Sequence, residues 1–180
     1  MHMEDFEIIK QVLEEDKNKY ALLIDKYHNE LFKYVYNMTN SYSETEDLLQ
    51  EIFFKIYKSL KKYDRKKASF RTWMYRIAKN YVLNHLQSAR VRLKNNTYEY
   101  DDNINKSKED VEETAVKNDQ ITRILEVMRQ VLSPKHYEIM HLHYFSNLTV
   151  KEISETLEIP DKTIYKAIKV SVEKIKKEVT

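Results

Sequence analysis

The sequence contains no glycine, no cysteine and only two prolines among its 180 residues. Without glycine, the chain cannot build the glycine-rich loops with which many nucleotide-binding proteins hold phosphate. Without cysteine, it can form neither disulfides nor thiolate metal sites, which is compatible with a reducing compartment. Since residues that favour tight turns between strands are so rare, a sheet with many hairpins is disfavoured, and an all-α fold is predicted.

Long hydrophobic runs are also missing. No window approaches the roughly 18 uncharged apolar residues of a membrane-spanning helix. The first residues are acidic, whereas a secretory signal would be basic and then apolar. We therefore expect a cytoplasmic protein.

Charge is distributed unevenly, although the net charge is only +2. Residues 61–94 carry 11 basic side chains against Asp64 alone, whereas residues 99–119 carry eight acidic side chains against three lysines. A basic block followed by an acidic connector is typical of a protein that faces a polyanion.

Apolar residues recur at helical spacing in the first half of the chain. They predict a short helix at about Asp5–Glu14 and a longer one over Tyr20–Met38. The next helix is predicted to begin at Ser43, with Glu46 completing a capping box. Ser69 is predicted to cap a third long helix that runs to about residue 92, with Trp73, Ile77 and Tyr81 on its inner face.

A polar, acidic segment without apolar periodicity, residues 93–118, is predicted to be a flexible linker. It divides the chain into a first module at residues 1–92 and a second, four-helix module at residues 119–180. In the second module, Ser133 with Pro134 and Thr149 with Glu152 mark helix starts.

The stretch from Lys151 to Val170 predicts a helix-turn-helix. Ile164 and Ile168 would pack inward, which leaves a polar outer face on the second helix that could enter a major groove. The residues on that face are Lys162, Thr163, Tyr165, Lys166 and Lys169.

Catalytic and metal-binding patterns find no support in the sequence. His141 and His143 are two residues apart on a helix, so they point in nearly opposite directions and cannot share one metal. Asp47 and Glu51 lie one turn apart, but no histidine repeats on another helix as a carboxylate metal site would need. No nucleophile motif occurs either. We expect no catalytic residues, metal or cofactor.

Two motif blocks resemble the extracytoplasmic-function (ECF) sigma factors of the sigma-70 family. "SETEDLLQEIFFKIYKSLKKYD" and "ASFRTWMYRIAKNYVLNHL" are similar to region 2 of that family, and "LSPKHYEIMHLHYFSNLTVKEISETLEIPDKTIYKAI" is similar to region 4. The resemblance implies two helical domains joined by a linker, and a subunit that brings RNA polymerase to promoters and opens them.

The resemblance also implies partners and binding residues. The core polymerase would be contacted at its β′ clamp helices and β flap, and an anti-sigma factor is a further implied partner, which nothing in the chain identifies. The "EDLLQEIF" helix would dock on the β′ clamp helices through Asp47, Leu48, Gln50, Glu51 and Phe53. Region 4 would read the −35 element with the outer face of its second helix. Region 2 would hold the melting −10 element through Arg65, Lys66, Lys67, Phe70, Arg71, Arg76, Lys79, Asn80 and Asn84.

The chain departs from the family pattern in region 4. Glu158 replaces the glycine that usually ends the first helix of the motif, so a left-handed residue or a different turn is expected there. Ala167, Val170 and Val172 stand where arginines are common. Lysines would then supply the phosphate contacts without the bidentate geometry of arginine, which predicts a sequence-tolerant −35 contact.

Two alternatives remain. One is a free-standing regulator that uses only the helix-turn-helix, and the other is a helical module that binds protein and not DNA. The first leaves "EDLLQEIF" and the basic aromatic helix without a role. Transcription with purified core polymerase separates all three.

Overall fold

The computed structural model describes residues 4–95 and 119–179, and the side chains of residues 4–88 and 123–179. No strand occurs in these two ranges, which confirms the all-α prediction for them. Most of the predicted linker, residues 96–118, lies outside the described residues. The helices are α1 (Asp5–Glu14), α2 (Tyr20–Thr39), α3 (Tyr42–Ser59), α4 (Phe70–Asn95), α5 (Asp119–Val131), α6 (Pro134–Tyr144), α7 (Val150–Leu157) and α8 (Asp161–Val179), with short 3₁₀ turns at Lys17–Lys19 and Leu60–Lys62.

The start of α3 differs from the prediction. Asn40 ends α2 in the left-handed region with φ 58°, and the extended residue that follows it, Ser41, caps α3 by accepting a hydrogen bond from the Glu44 N–H. Ser43 lies inside the helix. Both serines stand three residues before a glutamate, so the local pattern could not distinguish them, and the left-handed turn at Asn40 selects the first.

The other predicted caps are confirmed. Ser69 and Ser133 accept N–H bonds from Thr72 and His136 at their helix starts, and Thr149 with Glu152 forms a reciprocal capping box. Glu158 adopts the left-handed conformation, with φ 58° and ψ 43°. The chain thus keeps the turn that a glycine would make, at a cost of about 1 to 2 kcal/mol.

The inner face of α4 is rotated relative to the prediction. Met74, Tyr75, Ala78 and Val82 are fully buried, whereas Trp73 and its predicted partners at residues 77 and 81 are only half-buried. The helix also continues to residue 95, three residues beyond its predicted end at 92. The rotation follows from packing on both sides, because α4 contacts α2 and α3 on one side and α7 on another.

The two modules pack against each other through α2, α4, α6 and α7. Residues of both modules, including Tyr34, Tyr75 and Ile139, form one continuous buried core. Polar contacts cross the same boundary: the Tyr34 hydroxyl donates to Glu138 Oε1 at 3.1 Å, and Asn37 Nδ2 lies 2.6 Å from His141 Nε2. The described parts of the modules therefore form one closed body.

The imidazole of His141 makes this packing sensitive to acid. Burial, and secondarily Arg129, lower the pKa of His141 from 6.5 to about 4, so the ring is neutral at pH 7. Between pH 6.5 and 4, His141 binds a proton in the unfolded chain but stays neutral in the folded one. The free energy of unfolding therefore falls as the pH falls. Linkage gives a loss of about 2 kcal/mol by pH 5. Burial raises the pKa of the neighbouring Glu138 carboxyl, which acts in the opposite sense.

We expect thermal unfolding of the wild type to show this loss between pH 7 and pH 5. The His141→Gln variant, which lacks the titrating ring, should start from a lower melting temperature and lose less on acidification. Because both proteins retain Glu138, the difference between their losses of melting temperature from pH 7 to pH 5 reports the effect of His141. Equal slopes for both proteins would show that His141 does not titrate as described.

Candidate nucleic-acid interface

Aromatic rings cluster around the loop that precedes α4. The Tyr63 ring lies 5.6 Å from Phe70 and 5.4 Å from Trp73, and Tyr27 packs on Phe70 from below at 5.6 Å. Phe70 is only 3% exposed, so it supports the cluster from inside and does not offer a ring face to a ligand. Tyr63 and Trp73 are half-buried. They are the rings on which an unpaired base could stack.

Five of the predicted −10 residues are exposed in the loop before α4 and along α4. The loop is shaped by Asp64, whose carboxylate accepts the Lys66 N–H at 2.9 Å. The guanidinium of Arg65 stacks 4.1 Å from the ring centroid of Phe6, so α1 helps to position the loop. Cations and amides beside aromatic rings suit a single nucleic-acid strand. The exposed members are Arg65, Lys66, Lys67, Asn80 and Asn84.

The remaining predicted −10 cations are half-buried and contact the second module. Arg71 forms an ion pair with Glu30, with an N–O distance of 2.6 Å, and also donates to the backbone oxygen of Ser146. Arg76 donates to the Glu155 backbone oxygen at 2.6 Å, and Lys79 lies 3.5 Å from that of Thr156. Arg71, Arg76 and Lys79 all lie on α4, as the sequence predicts. In the folded chain, however, each of them contacts a backbone oxygen of the second module.

A second face is formed by α3. Of the residues predicted to dock on polymerase, Asp47, Gln50 and Glu51 are exposed, whereas Leu48 and Phe53 are 4% and 7% exposed and belong to the core. Glu51 lies against Tyr81. The pKa of the Tyr81 phenol is raised, mainly by burial and secondarily by the Glu51 carboxylate. The exposed acids and amide therefore form the outer stripe of α3, and the two apolar residues anchor it.

Phe54 extends this stripe, although it is not among the residues predicted to dock on polymerase. It is 53% exposed, and it lies seven residues after Asp47 and three after Glu51, which places it on the same helical face. Lys58 Nζ lies 4.2 Å from its ring centroid. The spacing was visible in the sequence, but the neighbouring Phe53 fitted the apolar pattern equally well.

Next to the α3 stripe lies an open groove of about 460 Å³ between α2 and α3. Its floor includes Tyr20, Leu49 and Phe53, and its rim includes Gln50 and Phe54. His28 stacks on Phe53 with a centroid distance of 6.3 Å. An apolar groove beside exposed acids can receive an apolar side chain from a partner with a basic surface.

The third face is the outer side of α8. The structure places Lys162, Thr163, Tyr165, Lys166 and Lys169 together in solvent, with Tyr165 63% exposed. Ile164 is fully buried, and Ala167, which stands where arginine is common, is 4% exposed. A long charged side chain at 167 would point into the module, so the cationic face is formed by lysines alone.

Two further properties concern the described residues only. None of their helices is long and apolar enough to cross a membrane. Across the same two ranges, no group of three or more His, Asp or Glu side chains could hold a metal ion.

Comparison with known proteins identifies two family regions in the chain. The family profile Sigma-70 region 2 matches residues 23–92, and Sigma-70, region 4 matches residues 130–177. The chain belongs to the sigma-70 family, in its ECF group. It acts as a sigma factor in transcription initiation. The first match contains α3 and the start of α4, and the second contains the helix-turn-helix, so all three faces fall within family regions.

Curated relatives of this sigma factor match over most of their length. It is 28% identical over 167 residues to the ECF RNA polymerase sigma factor SigW of Bacillus subtilis, covering 87% of this chain and 86% of that one. It is 27% identical over 167 residues to the RNA polymerase sigma-H factor of Pseudomonas aeruginosa, covering 89% and 86%.

Solved structures share the fold. CnrH, in complex with the cytosolic domain of CnrY, superposes with a TM-score of 0.71 at 15% identity, covering 97% of this chain and 96% of that one. The sigma factor RpoE of Bartonella quintana, in complex with the anti-sigma factor NepR, gives 0.68 at 10% identity, covering 88% and 94%. At such identities the likeness shows the fold alone.

Proposed function

We propose that this sigma factor binds core RNA polymerase through the α3 stripe, holds the melted −10 element around the start of α4, and reads the −35 element with α8. The observation that carries the proposal is the α3 stripe. A face of exposed Asp47, Gln50, Glu51 and Phe54 beside an apolar groove has no role in a protein that only binds DNA, and it suits a basic helical partner such as the β′ clamp helices.

The −10 assignment rests on chemistry that a separating strand requires. An unpaired base needs a flat ring to stack on, hydrogen-bonding groups for its edge, and cations for its phosphates. Tyr63 and Trp73 supply the rings, Asn80 and Asn84 the amides, and the loop at 65–67 the charge. Duplex reading by α8 rests on exposed lysines with Tyr165, so it should depend strongly on salt and weakly on sequence.

The remaining parts of the proposal concern partners and place. The polymerase performs the chemistry, so this chain has no catalytic activity and needs no cofactor. It works in the cytoplasm, where the polymerase is. An anti-sigma factor is a further proposed partner, because two solved structures of this fold hold such a regulator or a cytosolic partner domain. The α2–α3 groove suits an apolar side chain of that partner.

Run-off transcription with purified core polymerase tests the proposed function. A genomic fragment library serves as template because the promoter sequence is not specified by the chain. Transcripts that appear only when this protein is added support the proposal. Duplex binding without transcription would support a stand-alone regulator, and neither activity would support a protein-binding module.

A further inference from the structure

The helix α1 lies before the family match, which begins at residue 23, yet it packs beside the loop that precedes α4. We call residues 63–69 the −10 loop. The apolar side of α1, formed by Ile8, Ile9 and Val12, is only 3–4% exposed and joins the core. The same helix contacts the 3₁₀ turn at Leu60–Lys62, immediately before the −10 loop. The matched family region therefore gives α1 no role, whereas the fold brings it to the proposed −10 surface.

Asp5 fixes the first turn of α1 to α2. Its carboxylate accepts hydrogen bonds from Lys26 Nζ and from the Tyr27 hydroxyl, both at 2.6 Å. The Tyr27 ring in turn packs on Phe70, the buried ring under the aromatic cluster. The residue next to Asp5, Phe6, is therefore held close to the −10 loop.

Hydrogen bonds within the −10 loop fix its backbone around Arg65. The carboxylate of Asp64 accepts the Lys66 N–H at 2.9 Å, and the backbone oxygen of Asp64 accepts the Lys67 N–H at 3.0 Å. These bonds do not involve the long side chain of Arg65. Phe6 restrains that side chain, since the Arg65 guanidinium lies 4.1 Å from the centroid of the Phe6 ring.

The stacked arrangement leaves the donors of Arg65 available. A guanidinium is planar, so a ring against its face leaves its N–H groups free to bond a phosphate in the plane. A side chain that is already held also loses less conformational freedom when it binds. Phe6 is 38% exposed and Arg65 is exposed, so the pair is accessible to a strand at the −10 loop.

We propose that Phe6 is a positioning residue for the −10 strand: its ring holds the Arg65 guanidinium ready for a backbone phosphate, which makes α1 part of the machinery that opens the promoter. The inference rests on the proposed −10 role of the loop. Because a phosphate carries no sequence information, the effect of Phe6 should be the same at promoters with different −10 sequences.

The experiment uses holoenzyme made from core polymerase and the full chain, on a promoter fragment selected by the run-off transcription described above. Phe6→Leu keeps an apolar side chain but removes the ring. We expect it to reduce permanganate-detected opening about threefold to tenfold and to leave initial duplex binding in a gel shift unchanged. Phe6→Tyr keeps a ring and should open as the wild type does. Leu13→Ala is the matched control, because Leu13 is a similarly exposed apolar residue of α1, at 42%.

A double variant shows whether Phe6 acts through Arg65. In an Arg65→Ala background, Phe6→Leu should cause no further loss of opening, since the side chain that it positions is absent. Additive losses would mean that Phe6 acts by another route, and would overturn the inference. Wild-type opening by Phe6→Leu, or an equal loss in Phe6→Tyr, would overturn it as well.

A measurement on the wild type decides the question if Phe6→Leu fails to melt cooperatively. Nitrogen-15 relaxation of Arg65 Nε in the free chain should show an ordered side chain, and an order parameter below about 0.6 would contradict positioning by Phe6. Failure of the proposed function would look different, as no polymerase-dependent transcript, or as wild-type opening by Arg65→Ala alone.

Discussion

Replacing Asp47 and Glu51 together with alanine is expected to abolish co-purification of the sigma factor with core RNA polymerase and to leave its fold intact. Both carboxylates are exposed on the outer stripe of α3, while the core under them is formed by other residues such as Leu48 and Ile52. Losing two hydrogen bonds to charged groups, each worth about 1.5 to 3 kcal/mol, should weaken binding at least about 100-fold.

The measurement is affinity capture of core polymerase by tagged sigma factor, with circular dichroism to check the fold. Glu7→Ala with Glu14→Ala is the matched control, since it removes two exposed acids from α1 and changes the net charge equally. The control should retain polymerase. Undiminished capture by the α3 variant would mean that the polymerase docks elsewhere.

Elements whose signals are local were predictable from the sequence. The caps at Ser69, Ser133 and Thr149 agree with the structure because each depends on residues within one turn of each other. The start of α3 was wrong for the same local reason, since two serines competed and only the backbone turn at Asn40 distinguished them.

The packing of the two modules could not be predicted in this way. The Tyr34–Glu138 and Asn37–His141 contacts each join residues 104 positions apart, and no periodicity relates such positions. His141 was considered only as a metal ligand that lacked a partner, yet it is a buried neutral ring at the module boundary. In the second module, the acceptors of Arg71 and Arg76 are backbone oxygens, which every residue has and no sequence pattern marks.

The site residues show the same division. Exposed members such as Asp47 and Lys166 follow from helical periodicity, which identifies an outer face without knowing what it meets. Phe70 and Phe53 are apolar members of the predicted sets, and the structure buries both. Helical spacing leaves the assignment of neighbouring aromatics such as Phe53 and Phe54 ambiguous, because either can face the core until the partner helices are placed.

Replacing Arg71 and Arg76 with alanine is expected to impair promoter opening more than the first binding of duplex DNA. The resemblance to the family implies that these cations meet the −10 strand as it separates, whereas α8 meets the duplex −35 element. Removing two charged contacts from the opened complex should reduce opening at least tenfold, since one such contact is worth about 1.5 to 3 kcal/mol. The effect on initial duplex binding should be small.

Permanganate reactivity of unpaired thymines measures opening, and a gel shift of the polymerase holoenzyme on the same promoter measures initial binding. Both alanines also remove contacts to the second module, at Ser146 and Glu155, and so weaken the packing of the two modules.

A control variant separates this effect from the loss of charge. Arg76→Lys retains the charge but loses the planar donor group. If charge matters most, this variant should recover most of the opening. Equal losses of opening and of duplex binding in the double variant would contradict the −10 role of α4. In that case the two arginines would serve the closed packing alone.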